Sequence, residues 1–259
     1  GVGGPGPTRG GFRLDAAAAG KRVALLFEGI AIRATVYVDG CLMARHFTAS
    51  TPFEVDLTDV VRPAGDNLVA VYVETDDSEG WWYEGGGLYR HVWLIQAERV
   101  SVDQWGVWVN PRPAEGRRWA VPVETTLRND GCDPAAVRVR SAVLDAEGHE
   151  AAAVESPARI PPKDKAVLRQ ALTVESPRLW DTKAPNLYTL RTRILDGGGR
   201  ELDRVDTRFG FRTIEFRADT GFFLNGRPEK IKGVCCHQDY GLTGKAVSDR
   251  VHRYRLRRL

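Results

Sequence analysis

Short runs of alternating or β-branched hydrophobic residues, separated by turn residues, fill the chain from residue 21 to residue 95. This pattern is typical of antiparallel sheets and predicts strands at 22–27, 34–38, 53–57, 67–73 and 89–95. In the third run, Phe53, Val55 and Leu57 are expected to face the core. The first twenty residues are so rich in glycine and proline that we interpret them as loose.

A second series of strands is predicted between residues 100 and 209, at 107–109, 120–127, 137–144, 167–174 and 187–195. Turn sequences at 129–131, 147–148 and 197–199 separate them at a regular spacing. A series of this length fits a single immunoglobulin-like β-sandwich. The segment 176–180 contains a proline and an exposed-looking Trp180, so we interpret it as a crossing segment between strands.

After Gly210 the pattern changes. Residues 222–228 read as a hairpin, residues 230–234 as a short apolar strand, and Ser248 as the start of a helix that runs to the end of the sequence. A strand, a polar loop and a helix start are typical of the first unit of an α/β barrel. The fold class predicted is therefore mainly β, with two sandwiches followed by the first βα element of a barrel.

Composition and charge narrow the class of protein. The chain of 259 residues is 42% hydrophobic and 27% charged, which is ordinary for a folded globular protein of two domains. A formal charge of +3 gives no reason to expect a polyanionic partner, and the basic run at 250–258 is interpreted as a solvated helix face, so no nucleic acid is expected. No apolar stretch is long enough to span a membrane, so no membrane partner is predicted.

No cofactor or metal is predicted. The four cysteines show no spacing typical of a zinc site, and Gly85, Gly86 and Gly87 lack the lysine and the helix that a phosphate-binding loop needs. The sequence starts at a glycine, has Met43 as its only methionine, and stops within a predicted helix. We therefore expect both ends to lie within a longer protein.

Four separate segments carry a resemblance to a known family. They are residues 82–94 (Trp-Tyr-Glu-Gly-Gly-Gly-Leu-Tyr-Arg-His-Val-Trp-Leu), 179–180 with 185–190, 210–215 with 223–228, and 232–234 with the loop that follows. In this order they resemble glycoside hydrolase family 2, the group of β-galactosidases, β-glucuronidases and β-mannosidases. The start of the chain departs from the family pattern, because residues 1–11 lack its usual aromatic strand.

The resemblance implies a jelly-roll-like sugar-binding β-sandwich at 1–98, an immunoglobulin-like β-sandwich at 99–209, and the truncated start of a TIM barrel at 210–259. It also implies hydrolysis of O-glycosidic bonds, with β-galactosides as the expected substrates. Retaining enzymes use two glutamates about 5 Å apart. In the family both lie on later barrel strands, so no catalytic residue is predicted in this chain, which is expected to be inactive alone.

The resemblance also implies four substrate-binding residues. His237 and Asp239 would follow the first barrel strand and contact sugar hydroxyls. The alternative is that this histidine and aspartate lie in a loop and only hydrogen-bond to each other. Asp77 and Trp82 would lie in a loop at the barrel mouth, with the carboxylate taking hydroxyls and the ring stacking on the sugar. The alternative for this loop is an aromatic plug between domains, which is an equally good interpretation.

A second function stays open: a freestanding carbohydrate-binding or adhesive module of two sandwiches. It explains residues 21–209 equally well, but it does not explain the hairpin, strand and helix start that follow. In the favoured interpretation the barrel fragment exposes Ile231, Val234 and Leu259, so self-association through this fragment is expected.

Overall fold

The computed structural model describes residues 6–75, 86–237, 240 and 243–259. The chain divides into two compact units, Gly1–Ala97 with Val234–Leu259, and Glu98–Gly233. Both are built from antiparallel strands, so the predicted mainly β class is confirmed. No helix among the described residues is long and apolar enough to cross a membrane.

The first unit contains nine described strands, one 3₁₀ turn and one α-helix. They are β1 (Gly6–Arg13), the 3₁₀ turn (Ala16–Ala18), β2 (Arg22–Phe27), β3 (Ile30–Ala31), β4 (Arg33–Val38), β5 (Cys41–Phe47), β6 (Phe53–Asp56), β7 (Asp66–Glu74), β8 (Gly87–Leu88), β9 (Val92–Ala97) and α1 (Asp249–Arg258).

Two sheets of the first unit share one core. The sheet of order β1-β7-β4-β5 and the sheet of order β6-β2-β9 both direct side chains into the same buried cluster. In β4 the alternating residues Ala34, Val36 and Val38 are buried, as a strand with one covered face requires. The short pair β3-β8 forms a separate two-stranded sheet.

The loose start predicted for the chain is wrong for residues 6–13. These residues form β1, which pairs with β7 along its whole length, from Gly6 opposite Val73 to Arg13 opposite Asp66. Tertiary pairing overrides the weak strand preference of glycine here, because β1 covers the edge of β7 and Phe12 packs against the core.

The second unit contains eleven strands. They are β10 (Val100–Val109), β11 (Arg112–Pro113), β12 (Arg118–Asn129), β13 (Ala135–Leu144), β14 (Glu150–Ile160), β15 (Asp164–Glu175), β16 (Tyr188–Leu195), β17 (Glu201–Phe209), β18 (Ile214–Arg217), β19 (Gly221–Leu224) and β20 (Arg227–Pro228).

Strand β12 is the centre of one sheet and pairs with β10, β11 and β15, while the second sheet has the order β14-β13-β16-β17. The two sheets share buried clusters that include Val121 of β12 and Leu190 of β16. The sequence interpretation omitted β14 and β17. Their alternation is carried by alanine and by charged residues, so the hydrophobic signal is weak, and each lies at an edge of its sheet.

The hairpin predicted at 222–228 is confirmed as β19 and β20, and β19 also pairs with β18, so the three strands form a small third sheet. The strand predicted at 230–234 is wrong, because these residues have no regular structure. A strand needs a neighbour for its hydrogen bonds, and no described strand runs beside them. Ile231, Val234 and Leu259 are exposed, as expected from the sequence. The helix predicted after Ser248 is α1.

The core of the second unit predicts that truncating two different leucines has very different effects on the free energy of unfolding. We expect Leu190→Ala to lower the free energy of unfolding by about 2–5 kcal/mol, because Leu190 is fully buried and its loss leaves a cavity. Urea unfolding followed by circular dichroism measures this. The control is Leu187→Ala, since Leu187 is 38% exposed, and equal losses from both variants would contradict the packing described.

Candidate functional site

One of the four predicted sugar-binding residues, His237, lies among the described residues. Asp77, Trp82 and Asp239 lie outside them, so their roles stay predictions. His237 is exposed and belongs to the irregular segment that precedes α1. The elements around these positions can still be located, because Thr75, Gly86 and Tyr240 are described.

Helix α1 fixes the backbone at His237. Arg255 donates from Nη1 to the carbonyl oxygen of His237 at 3.1 Å, and its guanidinium lies over the ring of Tyr240 at 5.1 Å from the centroid. The same nitrogen lies 3.9 Å from Sγ of Cys236. One arginine therefore contacts both sides of the segment that holds His237 and Asp239.

Thr75 and Gly86, which lie on either side of residues 76–85 in the sequence, are in close contact. A Cβ atom placed on Gly86 would lie 2.3 Å from Cγ2 of Thr75, so only glycine allows the two residues to approach this closely. A functional reading of Gly86 as part of a phosphate loop is unnecessary, since close backbone packing explains it.

Tyr89 contacts one backbone carbonyl and two cationic side chains. Its hydroxyl donates to the carbonyl of Ala49 at 2.6 Å, and its ring packs against a small buried cluster. The ammonium of Lys245 lies 5.9 Å from the ring centroid, and the guanidinium of Arg90 lies 5.8 Å from it. In the sequence, Tyr89 lies seven residues after Trp82 and Lys245 lies eight residues after His237, so this ring contact connects two stretches of chain that each follow a predicted site residue.

In the second unit, the motif residues form a tight contact around Trp180. A Cβ atom on Gly210 would lie 2.8 Å from Cβ of Trp180, so the backbone passes directly beside this side chain. The guanidinium of Arg212 lies over the Trp180 ring at 4.6 Å from its centroid. The backbone N–H of Trp180 donates to the carbonyl of Phe211 at 2.8 Å.

Asn225 connects the hairpin to the same place. Its amide donates to the carbonyl of Trp180 at 3.0 Å, and its Oδ1 accepts from the backbone N–H of Thr213 at 3.0 Å. Its own N–H donates to the carbonyl of Thr213 at 3.0 Å. Asn225 has a φ of +51°, which asparagine tolerates better than most residues.

Aromatic rings support this contact from the core side. Phe211 is fully buried and meets Tyr188 edge to face, with ring centroids 4.8 Å apart. The hydroxyl of Tyr188 accepts from the backbone N–H of Arg178 at 2.9 Å. The amide of Asn186 donates to the carbonyl of Leu179 at 2.8 Å. The described motif residues in this unit therefore act in folding rather than in chemistry.

A surface depression of about 730 Å³ adjoins the contact and is lined in part by Pro111, Arg112, Trp180, Leu187 and Ile214. Its lining mixes polar and apolar side chains. Among the described residues, no group of three or more histidine, cysteine, aspartate or glutamate side chains is placed to hold a metal ion. The four cysteines are free and exposed.

The family model for glycosyl hydrolases family 2 matches residues 100–212, which include β10–β17 and the Trp180 contact. This part of the chain matches glycoside hydrolase family 2. The chain is 36% identical to a β-galactosidase of Bacteroides ovatus over 249 residues, which is 96% of this chain and 29% of the relative. It is 29% identical to a β-galactosidase of Thermoanaerobacter pseudethanolicus, covering 93% of this chain and 33% of that protein.

Solved structures agree with these matches. A family 2 glycosyl hydrolase from Bacteroides cellulosilyticus superposes with a TM-score of 0.93 at 34% identity, covering 99% of this chain and 35% of that one. A protein from Bacteroides fragilis described as a putative β-galactosidase superposes with a TM-score of 0.89 at 28% identity, covering 98% of this chain and 40% of that one. This chain thus spans about a third of the length of the relatives it matches.

Asp181, next to Trp180, links this contact to pH. Its Oδ1 accepts from the N–H groups of Ala184 and Lys183, each at 2.7 Å. These two hydrogen bonds, with Ala184 the stronger, hold the pKa of Asp181 below its ordinary value.

A carboxyl group with a lowered pKa stabilises the fold above its unfolded pKa, and this contribution disappears as the pH falls through the folded pKa. We therefore expect Asp181→Asn to be less stable than the wild type near pH 7 and equally stable near about pH 2. Urea unfolding at several pH values measures the difference. Asp219→Asn, in an exposed turn, is the control, and a pH-independent difference for Asp181→Asn would contradict the assignment.

Proposed function

We propose that this chain is the non-catalytic front part of a retaining glycoside hydrolase that acts on β-galactosides. The observation that carries the proposal is the match of residues 100–212 to the family 2 model together with the superposition of 99% of this chain on a family 2 glycosyl hydrolase. This match supports the reaction class, and the hydrolysis of O-glycosidic bonds is proposed for the whole protein of which this chain is part.

The domain organisation proposed is a jelly-roll sugar-binding sandwich at 1–98, an immunoglobulin-like sandwich at 99–209 and the start of a TIM barrel at 210–259. Support for the first two comes from pairs of antiparallel sheets that share buried clusters. Support for the third comes from helix α1, the one element of the predicted βα unit that the described residues form.

The chemistry of retaining hydrolysis separates the catalytic residues from the sugar-binding residues proposed in this chain. Retaining hydrolysis needs a glutamate nucleophile and a glutamate acid/base about 5 Å apart, and we propose that both lie outside this chain. Within the chain, Trp82 would stack on the apolar face of the sugar and Asp77 would accept hydrogen bonds from its hydroxyls. His237 and Asp239 would contact hydroxyls near the reacting carbon, and Arg255 donates a hydrogen bond to the backbone carbonyl of His237.

The names of the relatives favour a galactoside over a glucuronide. The proteins at 36% and 29% identity are named β-galactosidases, whereas two proteins of Formosa agariphila at 28% identity are named putative β-glucuronidases. A glucuronide would bring a carboxylate, and Lys245 and Arg90 are cations at Tyr89 that such a group would contact. The binding experiment therefore uses both galactose and glucuronic acid.

We expect the chain to hydrolyse none of a panel of p-nitrophenyl β-glycosides, because its catalytic glutamates lie elsewhere. We also expect galactose to shift the indole N–H signal of Trp82 in an NMR titration, and Trp82→Phe to identify that signal. The N–H signal of the exposed Trp93 should not move, which controls for non-specific effects. Size-exclusion chromatography of the same sample measures self-association through the exposed Ile231, Val234 and Leu259.

Turnover that survives purification and repeats with independent preparations would contradict the proposed location of the glutamates. A shift of the Trp82 signal by glucuronic acid but not by galactose would replace the galactoside by a glucuronide. No shift with any sugar would contradict the role of the Asp77–Trp82 loop in binding.

A further inference from the structure

Strand β10 has a bulge that presents two tryptophans to solvent. Its pairing with β12 changes register between Val102 and Val107, and Trp105 lies within this bulge with a φ of +55°. The exposed fraction is 66% for Trp105 and 48% for Trp108. Two indole rings are therefore exposed within four residues of one strand.

The bulge is held by specific contacts. A Cβ atom on Gly106 would lie 2.8 Å from the carbonyl oxygens of Asp103 and Thr126, so only glycine fits where the bulge crosses β12. Asp103 accepts a hydrogen bond from Nε of Arg128 at 3.0 Å and one from Nζ of Lys165 at 2.5 Å. Partial burial acts to raise the pKa of Asp103, but Lys165 and Arg128 outweigh it and lower the pKa.

Stability does not explain this arrangement. A non-glycine residue in the left-handed region costs about 1–3 kcal/mol, and an exposed indole gains little from burial. Trp105 combines both disadvantages, although the bulge around it is fixed by glycine packing and ion pairs. Strained positions that the surrounding structure holds in place occur preferentially at binding sites.

Polar side chains lie beside Trp108 in a row across the sheet. Trp108 lies opposite Glu124 on β12, and Glu124 lies opposite Arg169 on β15. Alternate residues such as Val123 and Thr125 are buried, so Trp108, Glu124 and Arg169 occupy the outer face of the sheet. Arg169 donates from Nε to Glu124 Oε1 at 2.8 Å, and this exposed pair contributes little to stability.

We propose that the outer face of β10, β12 and β15 around Trp105 and Trp108 binds a neutral polysaccharide chain. Flat indole faces stack on the C–H faces of sugar rings, while Glu124 and Arg169 accept from and donate to the hydroxyls. Glu124 and Asp103 are each paired with a cation, so the face offers balanced charge, which fits a neutral ligand better than an anionic one. The site lies in the unit Glu98–Gly233, which contains none of the four sugar contacts predicted from the sequence.

Affinity gel electrophoresis tests this proposal with the whole 259-residue chain and gels containing β-1,4-galactan, β-1,4-mannan or mixed-linkage β-glucan. We expect at least one polysaccharide to retard the wild type. Trp105→Gly should weaken retardation about tenfold, the effect of losing roughly 1.4 kcal/mol of stacking. Glycine adopts a positive φ without steric cost, so this variant should remain folded with equal or higher stability.

Two further variants distinguish stacking from a general change in the surface. Trp108→Tyr should retain binding because it keeps an aromatic face, whereas Trp108→Thr should lose it while keeping a residue that suits a strand. Trp93→Ala, which removes a tryptophan of 51% exposure from the other unit, should leave retardation unchanged.

Several outcomes would overturn the proposal. These are no retardation by any neutral polysaccharide, equal retardation of the wild type and Trp105→Gly, or retardation by polygalacturonate alone. Dimerisation that depends on Trp105 in size-exclusion chromatography would assign the face to a second copy instead. None of these results bears on Trp82 and galactose, so failure here is distinguishable from failure of the proposed function.

Discussion

The close approach of Gly210 to Trp180 determines the path of the chain from the sheets of the second unit into β18–β20. Because Gly210 has no side chain, the backbone passes beside Trp180, Phe211 enters the core, and Arg212 stacks on the indole ring from outside. Asn225 then forms hydrogen bonds with both Trp180 and Thr213, which hold the three-stranded sheet β18–β20 against the other sheets. A bulkier residue at Gly210 would disturb all of these contacts together, since they share one backbone path.

This contact also explains why short motifs identify the family. The segments at 179–180, 185–190, 210–215 and 223–228 are far apart in the sequence, yet Trp180, Asn186, Tyr188, Phe211 and Asn225 hold one another or the adjoining backbone. Their spacing reflects a folding requirement. None of the four predicted sugar contacts is among these residues, which agrees with the general separation of rigid scaffold and functional loops.

Alternation along the chain predicted the long strands with one covered face, such as β4 and β12, because burial of every second residue leaves a clear signal. It failed for β1, where pairing with β7 decides the structure, and for residues 230–234, which have no strand beside them. The motif names His237 as a candidate, and its role stays a prediction, whereas the contact of Arg255 with it could not be predicted, because that contact depends on the direction in which α1 returns. The Trp105 bulge also gave no signal, since a positive φ is a property of the backbone.

The most direct test of this account is Gly210→Ala, measured by urea unfolding and by hydrogen exchange at the N–H groups of Thr213 and Asn225. The account predicts a loss of about 1–3 kcal/mol from overpacking against Trp180, with faster exchange at both groups. Gly197→Ala is the control, because a Cβ atom there would meet nothing within 4 Å. Unchanged stability and exchange in Gly210→Ala would contradict the central role given to this contact.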